Sequence, residues 1–194
     1  MKPRSNSAAG FTLIEMLVVI VIIATLSAIA APGWFAFLNR QRLNAAQAEA
    51  ITAIREAQTS ARRQKRSWDV CFLDDGNNVK WQATPVIQTP SNPDPVTCTP
   101  TSGGWKNIIE SGSREIALAD VSPNQVVKVR FLYNGSVDPL ALNNSNRTEN
   151  LARFTFVNRG QRNQSNSAKQ CVYVATLLGT LRAASDNECN LNIR

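Results

Sequence analysis

The apolar residues of this chain are concentrated in one long run near its N-terminus. Residues 11–31 carry a single charged side chain, Glu15. A helix rises 1.5 Å per residue, so a run of this length crosses the roughly 30 Å hydrocarbon core of a bilayer. A charge at the centre of such a span costs roughly 2.5–3.5 kcal/mol, and Glu15 is therefore expected to be functional and to need a cationic partner.

Between residues 32 and 66 the pattern becomes that of an amphipathic helix. Apolar residues recur at steps of three and four, with charged and amide residues between them. This predicted apolar stripe consists of Leu38, Ala45, Ala48, Ile51, Ile54 and Ala61. Pro32 and Gly33 are expected to kink or locally unwind the helix without ending it, because good helix formers resume at once. The pattern thus predicts one helix from Phe11 to about Gln64.

Four cations follow closely at the predicted end of this helix. They are Arg62, Arg63, Lys65 and Arg66. Cations at this position oppose the negative end of the helix dipole, which makes a capping and solvated role the simplest interpretation. Contact with nucleic acid or lipid is the alternative.

Residues 67–194 have the composition of strands, which predicts an α+β fold with the long helix packed on an antiparallel sheet. The strand-like segments are WDVCFL, NVKWQA, REIALA, VVKVRFLY, RFTFV and QCVYVATLLGTLRAAS, separated by turn signals such as DGNN and NG. Val127, Val129, Phe131 and Tyr133 alternate with Lys128, Arg130 and Leu132. That alternation predicts a strand with one face on the core. Residues 84–104 are proline-rich and predict a loop.

The four cysteines, Cys71, Cys98, Cys171 and Cys189, form an even set. An even count is typical of disulfides in an oxidising compartment, and four cysteines allow three pairings. Proximity along the chain favours Cys71–Cys98 and Cys171–Cys189. A zinc site is disfavoured, because the chain has no histidine and no C-x-x-C spacing.

The N-terminal sequence GFTLIEMLVVIVIIATLSAIAAP resembles the prepilin sequence of type IV pilins and pseudopilins. In those chains a basic leader ends in glycine, and the mature protein begins with an apolar residue and has glutamate at position five and proline near position 22. Gly10, Phe11, Glu15 and Pro32 match this pattern. The resemblance implies cleavage after Gly10 by a prepilin peptidase and N-methylation of Phe11. It also implies that Glu15 pairs with the Phe11 amine of a neighbouring subunit during assembly.

Two other interpretations of this N-terminus remain open. An ordinary secretory signal would be cut after the apolar run, and a plain membrane anchor would carry Glu15 incidentally. Lys2 and Arg4 precede the apolar run and favour a cytoplasmic leader, which places the rest in the periplasm or in an extracellular pilus. The expected organisation is a leader (1–10), an inner-membrane helix half (11–31), an amphipathic helix half (32–66) and a periplasmic β-rich domain (67–194).

The C-terminal third resembles the FimT/GspH group of minor pilins and pseudopilins, whose last hairpin often carries a Gly-Arg-x-Arg signature. Here the matching residues are Gly179, Thr180, Leu181 and Arg182, so one of the two arginines is missing. In some members this signature is associated with DNA binding. With a net charge of +7, the chain offers Arg159, Arg162, Lys169 and Arg182 as candidate DNA-binding residues. A solvated, charged loop is the alternative.

Enzymatic function is not expected. Without histidine, the usual general base and the common nucleophilic triads are absent. Asp74 and Asp75 precede Gly76 and favour a hairpin turn over a calcium site or acid–base pair. We expect a minor pilin or pseudopilin that needs no metal or cofactor. Its partners would be other pilin subunits, prepilin peptidase and the inner membrane. A DNA receptor in transformation and a type II secretion pseudopilin contacting an exported protein are the alternatives.

Overall fold

The protein has an α+β fold in which one long helix precedes two antiparallel sheets. Its structure is a computed structural model that describes residues 10–87, 97–101, 103–110, 113–119, 121–141, 151–164 and 166–189. The chain forms two compact units, residues 1–39 and residues 40–194. Helix α1 (Leu13–Gln64) contributes its first part to one unit and its remainder to the other. The second unit is called the body below.

The long helix confirms the expectation from the hydrophobic pattern. It begins two residues later than predicted, at Leu13, and ends at Gln64 as predicted. The helix continues through Pro32 and Gly33. Lys65 follows the last helical residue and adopts a left-handed conformation, with φ of 52°, which is the usual way in which a helix stops.

Within the described residues, eight strands form two four-stranded sheets, where the sequence predicted one. Sheet 1 has the order β3–β2–β1–β5 and sheet 2 the order β4–β6–β7–β8, and all neighbours are antiparallel. The strands are β1 (Trp68–Asp74), β2 (Val79–Pro85), β3 (Lys106–Asn107), β4 (Ile116–Leu118), β5 (Val126–Phe131), β6 (Ala152–Asn158), β7 (Lys169–Val174) and β8 (Leu181–Ser185). Each predicted strand segment is present, and β3 is a strand that the pattern did not predict. The last predicted segment, given as one run, is divided by a turn into β7 and β8.

The two sheets meet through aromatic side chains. The ring of Phe72 in β1 lies 4.5 Å from that of Phe154 and 6.5 Å from that of Phe156, both in β6. These distances are typical of packed aromatic pairs. The contacts therefore join sheet 1 to sheet 2 in one core.

Helix α1 packs on this core with a stripe made mostly of alanine. Its residues are Leu43, Ala46, Ala50, Ala53, Ile54, Ala57 and Ala61, each at most 2% exposed. The predicted stripe was partly wrong, because Ala45 and Ala48 are exposed. Alanines occur on several faces here, so composition alone does not fix which face is buried. Small side chains on the buried face let the helix backbone approach the sheets closely.

The outer face of sheet 1 carries a buried ion pair, which the sequence pattern did not predict. Arg130 was expected on a polar face, yet it is 3% exposed, and Asp69 is fully buried. Arg130 Nε and Nη2 donate to the two Asp69 carboxylate oxygens at 2.7 and 3.0 Å. Thr97 Oγ1 also donates to Asp69. Tyr133, expected on the core face, lies beyond the end of β5 and is exposed.

Candidate assembly site

The apolar N-terminal helix begins with a side-chain cap from Thr12, one turn from Glu15. Thr12 precedes the first helical residue, and its Oγ1 accepts a hydrogen bond from the Glu15 N–H at 3.2 Å. The order Thr-x-x-Glu is a recurrent helix start, and an acid in the first turn is stabilised by the helix dipole. Glu15 is exposed. Among the described residues no cation is paired with it.

The helix surface around Glu15 is apolar and uncovered. Exposed fractions along residues 11–37 reach 84% at Leu13 and 79% at Ile29. The most apolar 18-residue window has a mean hydropathy of 2.7, and none of it is buried. By length and composition this helix is able to cross a membrane. Such a surface is stable in water only when lipid or other helices cover it.

The four cysteines form two disulfides, and the pairing is the one that chain proximity favours. Cys71 in β1 is bonded to Cys98, and Cys171 in β7 is bonded to Cys189. Cys171 and Cys189 pack with Tyr173 and Ala184 in a small cluster of their own. The first disulfide therefore ties the segment around Cys98 to sheet 1, and the second ties the segment after β8 to sheet 2.

Two of the candidate DNA-binding arginines support the fold. Arg159 Nη2 donates to Asp74 Oδ1 at 2.9 Å and to the Ile116 carbonyl at 2.6 Å, and Arg159 Nε donates to the Arg114 carbonyl. Arg162 lies 3.9 Å from Asp74 Oδ2 and donates to the Val121 carbonyl. Because Asp74 is fully buried, both guanidinium groups are engaged in neutralising an internal charge.

The other two candidates lie on neighbouring strands of sheet 2. Lys169 begins β7, and its N–H donates to Asp186 Oδ1. Arg182 in β8 pairs in register with Tyr173 and forms a 3.4 Å ion pair with Glu188. Tyr173 is four strand positions from Lys169, about 13 Å at the usual rise. Lys169 pairs in register with Val157, two residues before Arg159, so Arg182 is the candidate that lies apart from the other three. Arg147, a further cation of this region, lies outside the described residues.

The turn before Arg182 accounts for the threonine that replaces the first arginine of the signature. Thr176 Oγ1 donates to Thr180 Oγ1 at 3.0 Å, and the Thr180 N–H donates to Thr176 Oγ1 at 3.3 Å. Gly179 has φ of 78°. Thr180 thus closes the β7–β8 turn and presents no charge.

The predicted turn at Asp74 and Asp75 is confirmed as the β1–β2 hairpin. Asp75 Oδ1 accepts the N–H groups of Asn77 and Asn78, and Lys80 Nζ lies 2.6 Å from Asp75 Oδ2. Partial burial alone raises the pKa of Asp75. The hydrogen bond and charge of Lys80 together with the two N–H groups outweigh that effect, and the pKa lies below its ordinary value.

Two glutamines of α1 have structural roles that sequence reasoning missed. Gln47 Nε2 donates to the carbonyls of Cys171 and Ala184, and Gln58 Nε2 donates to those of Gly135 and Leu178. Each glutamine joins two segments of the body to the helix. The available signal was a glutamine directly after an alanine of the buried stripe, Ala46 and Ala57.

No group of three or more His, Cys, Asp or Glu side chains in the described ranges could hold a metal ion.

Comparison with known proteins identifies the N-terminal segment. Residues 5–31 match the family described as "Prokaryotic N-terminal methylation motif". Among solved structures, the chain matches the minor pseudopilin EpsH from the type 2 secretion system of Vibrio cholerae at 12% identity and a TM-score of 0.40. That match covers 75% of this chain and 98% of the other. No curated protein matches the sequence.

The methylation motif confirms the prepilin-type N-terminus that the sequence predicted. Together with the apolar helix, the motif indicates membrane anchoring with a C-terminal body. It also implies assembly with other pilin-like subunits and processing by a prepilin peptidase.

Proposed function

We propose that this chain is a minor pilin or pseudopilin of the FimT/GspH type that enters or primes a type IV pilus or a type II secretion pseudopilus. The observation that carries the proposal is the uncovered apolar helix with Glu15 in its first turn. Helices with such a surface bury it by packing against one another. A single acid at a fixed position along each helix determines how far neighbouring helices are shifted along their axes. The subunit acts by assembly and performs no turnover.

The proposal divides the chain by task. Residues 1–10 are a leader that is removed after Gly10, which exposes Phe11 as an N-methylated first residue. Residues 11–31 span the inner membrane before assembly and pack among neighbouring helices afterwards. Residues 32–66, beginning at Pro32, connect that segment to the β-rich part, 67–194, which lies in the periplasm or on an extracellular filament. The two disulfides support this location, because they are typical of an oxidising compartment.

In the proposed mechanism the Glu15 carboxylate pairs with the positively charged N-terminal amine of a neighbouring subunit. Both groups carry charge in a low-dielectric environment, so each one alone would be strongly destabilising. A new subunit is therefore most stable in the helix bundle at the axial position where its charge lies beside the opposite charge of its neighbour.

The test is the variant Glu15→Gln, because glutamine keeps the backbone N–H that Thr12 caps and the side-chain volume, and removes only the charge. We expect normal cleavage but incorporation into filaments reduced about tenfold or more, since one charge of a buried pair is left without its partner. Shear fractionation with immunoblotting measures the incorporated fraction. Glu15→Asp is expected to be intermediate, and Glu56→Ala, at an exposed acid of the same helix, to behave as wild type. Wild-type incorporation of Glu15→Gln contradicts the mechanism.

The alternatives differ in what the body contacts. A DNA receptor needs free cations, whereas Arg159 and Arg162 are engaged by Asp74. The side chain of Arg182 is more exposed than either, at 48% against 24% and 20%, and its partner is the half-exposed Glu188. A secretion pseudopilin would instead contact an exported protein. The assembly role has the better support, and it is common to all three interpretations.

A further inference from the structure

One end of the body is apolar. Tyr133, in the turn after β5, is 59% exposed. In the β7–β8 turn Leu177 and Leu178 are 53% and 75% exposed. Large apolar side chains that project together from adjacent turns are unfavourable in water, and they mark interaction sites more often than chance.

Hydrogen bonds hold these turns side by side at the C-terminal end of α1. The Val137 N–H donates to the Leu177 carbonyl at 2.7 Å. Gln58 Nε2 bridges the carbonyls of Gly135 and Leu178 at 2.9 and 3.0 Å. These hydrogen bonds fix the backbone that carries the apolar side chains. Binding of a partner would therefore not carry the entropic cost of ordering these turns.

Cations border this apolar group. Arg62 contacts Gly135 in the turn after β5, and Arg63, Lys65 and Arg66 follow it and are exposed. Within the described ranges no carboxylate is paired with any of the four cations. We name this surface the basic–apolar end. It consists of Tyr133, Leu177, Leu178, Arg62, Arg63, Lys65 and Arg66.

We propose that the basic–apolar end docks a protein whose contact surface surrounds apolar side chains with carboxylates. Tyrosine and arginine are enriched at such interfaces, and unpaired cations at the rim select an acidic partner. A second copy of this chain is disfavoured because the chain is basic, with a net charge of +7 over the full sequence and an excess of cations that remains after Lys2 and Arg4 leave with the leader. A nucleic acid would meet the cations but leave the two leucines in water. The inference goes beyond the proposed assembly role, which uses the N-terminal helix.

The test uses the full chain in nanodiscs of neutral phosphatidylcholine and two synthetic amphipathic peptides. One peptide carries glutamates beside a stripe of leucine and phenylalanine, and the other has glutamine in place of each glutamate. We expect the acidic peptide to bind more tightly in fluorescence anisotropy, by a margin that shrinks as salt is added. Two double variants should each weaken binding of the acidic peptide about tenfold: Leu177→Ser/Leu178→Ser and Arg63→Gln/Arg66→Gln.

Matched controls come from exposed residues elsewhere in the chain. Ile87→Ser removes an exposed apolar side chain, and Arg40→Gln/Arg55→Gln removes two exposed cations from the same helix. Both should bind the acidic peptide as wild type does. Equal affinity for the two peptides, or wild-type affinity of either test variant, would overturn the proposal. Tighter binding to a short DNA duplex or to phosphatidylglycerol vesicles than to the acidic peptide would also overturn it.

The outcome is separable from that of the assembly proposal. Variants of the basic–apolar end should be cleaved and incorporated normally, whereas Glu15→Gln should keep wild-type affinity for the acidic peptide. Failure of one proposal therefore leaves the other measurable in the same set of variants.

Discussion

Asp74 joins three parts of the body while being fully buried. Its carboxylate accepts the N–H groups of Gly76 and Leu118 as well as the Arg159 guanidinium. One residue thereby fixes the β1–β2 hairpin, strand β4 and the turn after β6 relative to one another. Loss of one partner from a buried pair leaves a charge without compensation, which is strongly destabilising.

We expect Asp74→Asn and Arg159→Gln each to lower the free energy of unfolding by about 2–4 kcal/mol. The double variant should lose less than the sum, because both changes remove the same interaction. Urea denaturation of the detergent-solubilised chain, followed by tryptophan fluorescence, measures these values. Arg182→Gln, which breaks a half-exposed pair, should cost at most about 1 kcal/mol. Equal costs for Arg159→Gln and Arg182→Gln would mean that Arg159 is a surface residue available to DNA.

The lowered pKa of Asp75 makes the hairpin sensitive to acid. A carboxyl whose pKa is lower in the folded state than in the unfolded state stabilises the fold above the unfolded value, about 3.9. That contribution disappears as the pH falls through the folded value. We expect Asp75→Asn to flatten the dependence of unfolding free energy on pH below about 4. A pH series of urea titrations is the measurement, and an unchanged slope contradicts the assignment.

Individual charges were the least predictable feature of the sequence. Asp74 and Arg159 are separated by 85 positions, and no local pattern reveals which distant acid an arginine meets. The alternation in β5 likewise places Arg130 on the face away from the core but says nothing about what covers that face. Local turn chemistry was predictable, because Asp75 and Gly76 act within a few residues.

At the scale of elements, the sequence predicted the helix and strands whose positions follow from the spacing of apolar residues alone. Helix α1 follows from apolar spacing and from good helix formers around Pro32, and the strand segments follow from β-branched and aromatic runs. The division into two sheets did not follow, since alternation identifies a strand's faces but not its neighbours. The buried stripe was ambiguous for a related reason, because alanine occurs on several faces of α1.

The Cys171–Cys189 bond joins strand β7 to the 3-10 helix that follows β8. We expect Cys171→Ala/Cys189→Ala to lower the free energy of unfolding by about 2–4 kcal/mol, since the open chain gains loop entropy and the small cluster with Tyr173 loses its tie. Urea denaturation under non-reducing conditions measures the loss. Non-reducing peptide mapping of the wild type provides the control for connectivity. A Cys71–Cys171 peptide would contradict the strand arrangement described above.

At the scale of the whole molecule, the placement of the methylation motif leads to a prediction about the mature chain. We expect intact-mass measurement to find a protein that begins at N-methylated Phe11, because residues 5–31 match the motif that surrounds this position. Gly10→Val should remain full length in the inner membrane, since valine adds a branched side chain where glycine precedes the cleavage site. A conservative Gly10→Ala variant serves as the comparison. A mature start at any other residue would contradict the assigned leader.

The pairing of the cysteines has a consequence for the order in which the body matures. The bonded residues are 27 and 18 positions apart, and each pair is consecutive among the four cysteines. In the export that the proposed function requires, the first two thiols to cross the membrane are native partners, and so are the last two. Simple oxidation in order of arrival therefore yields the correct bonds, and the chain should be independent of a disulfide isomerase.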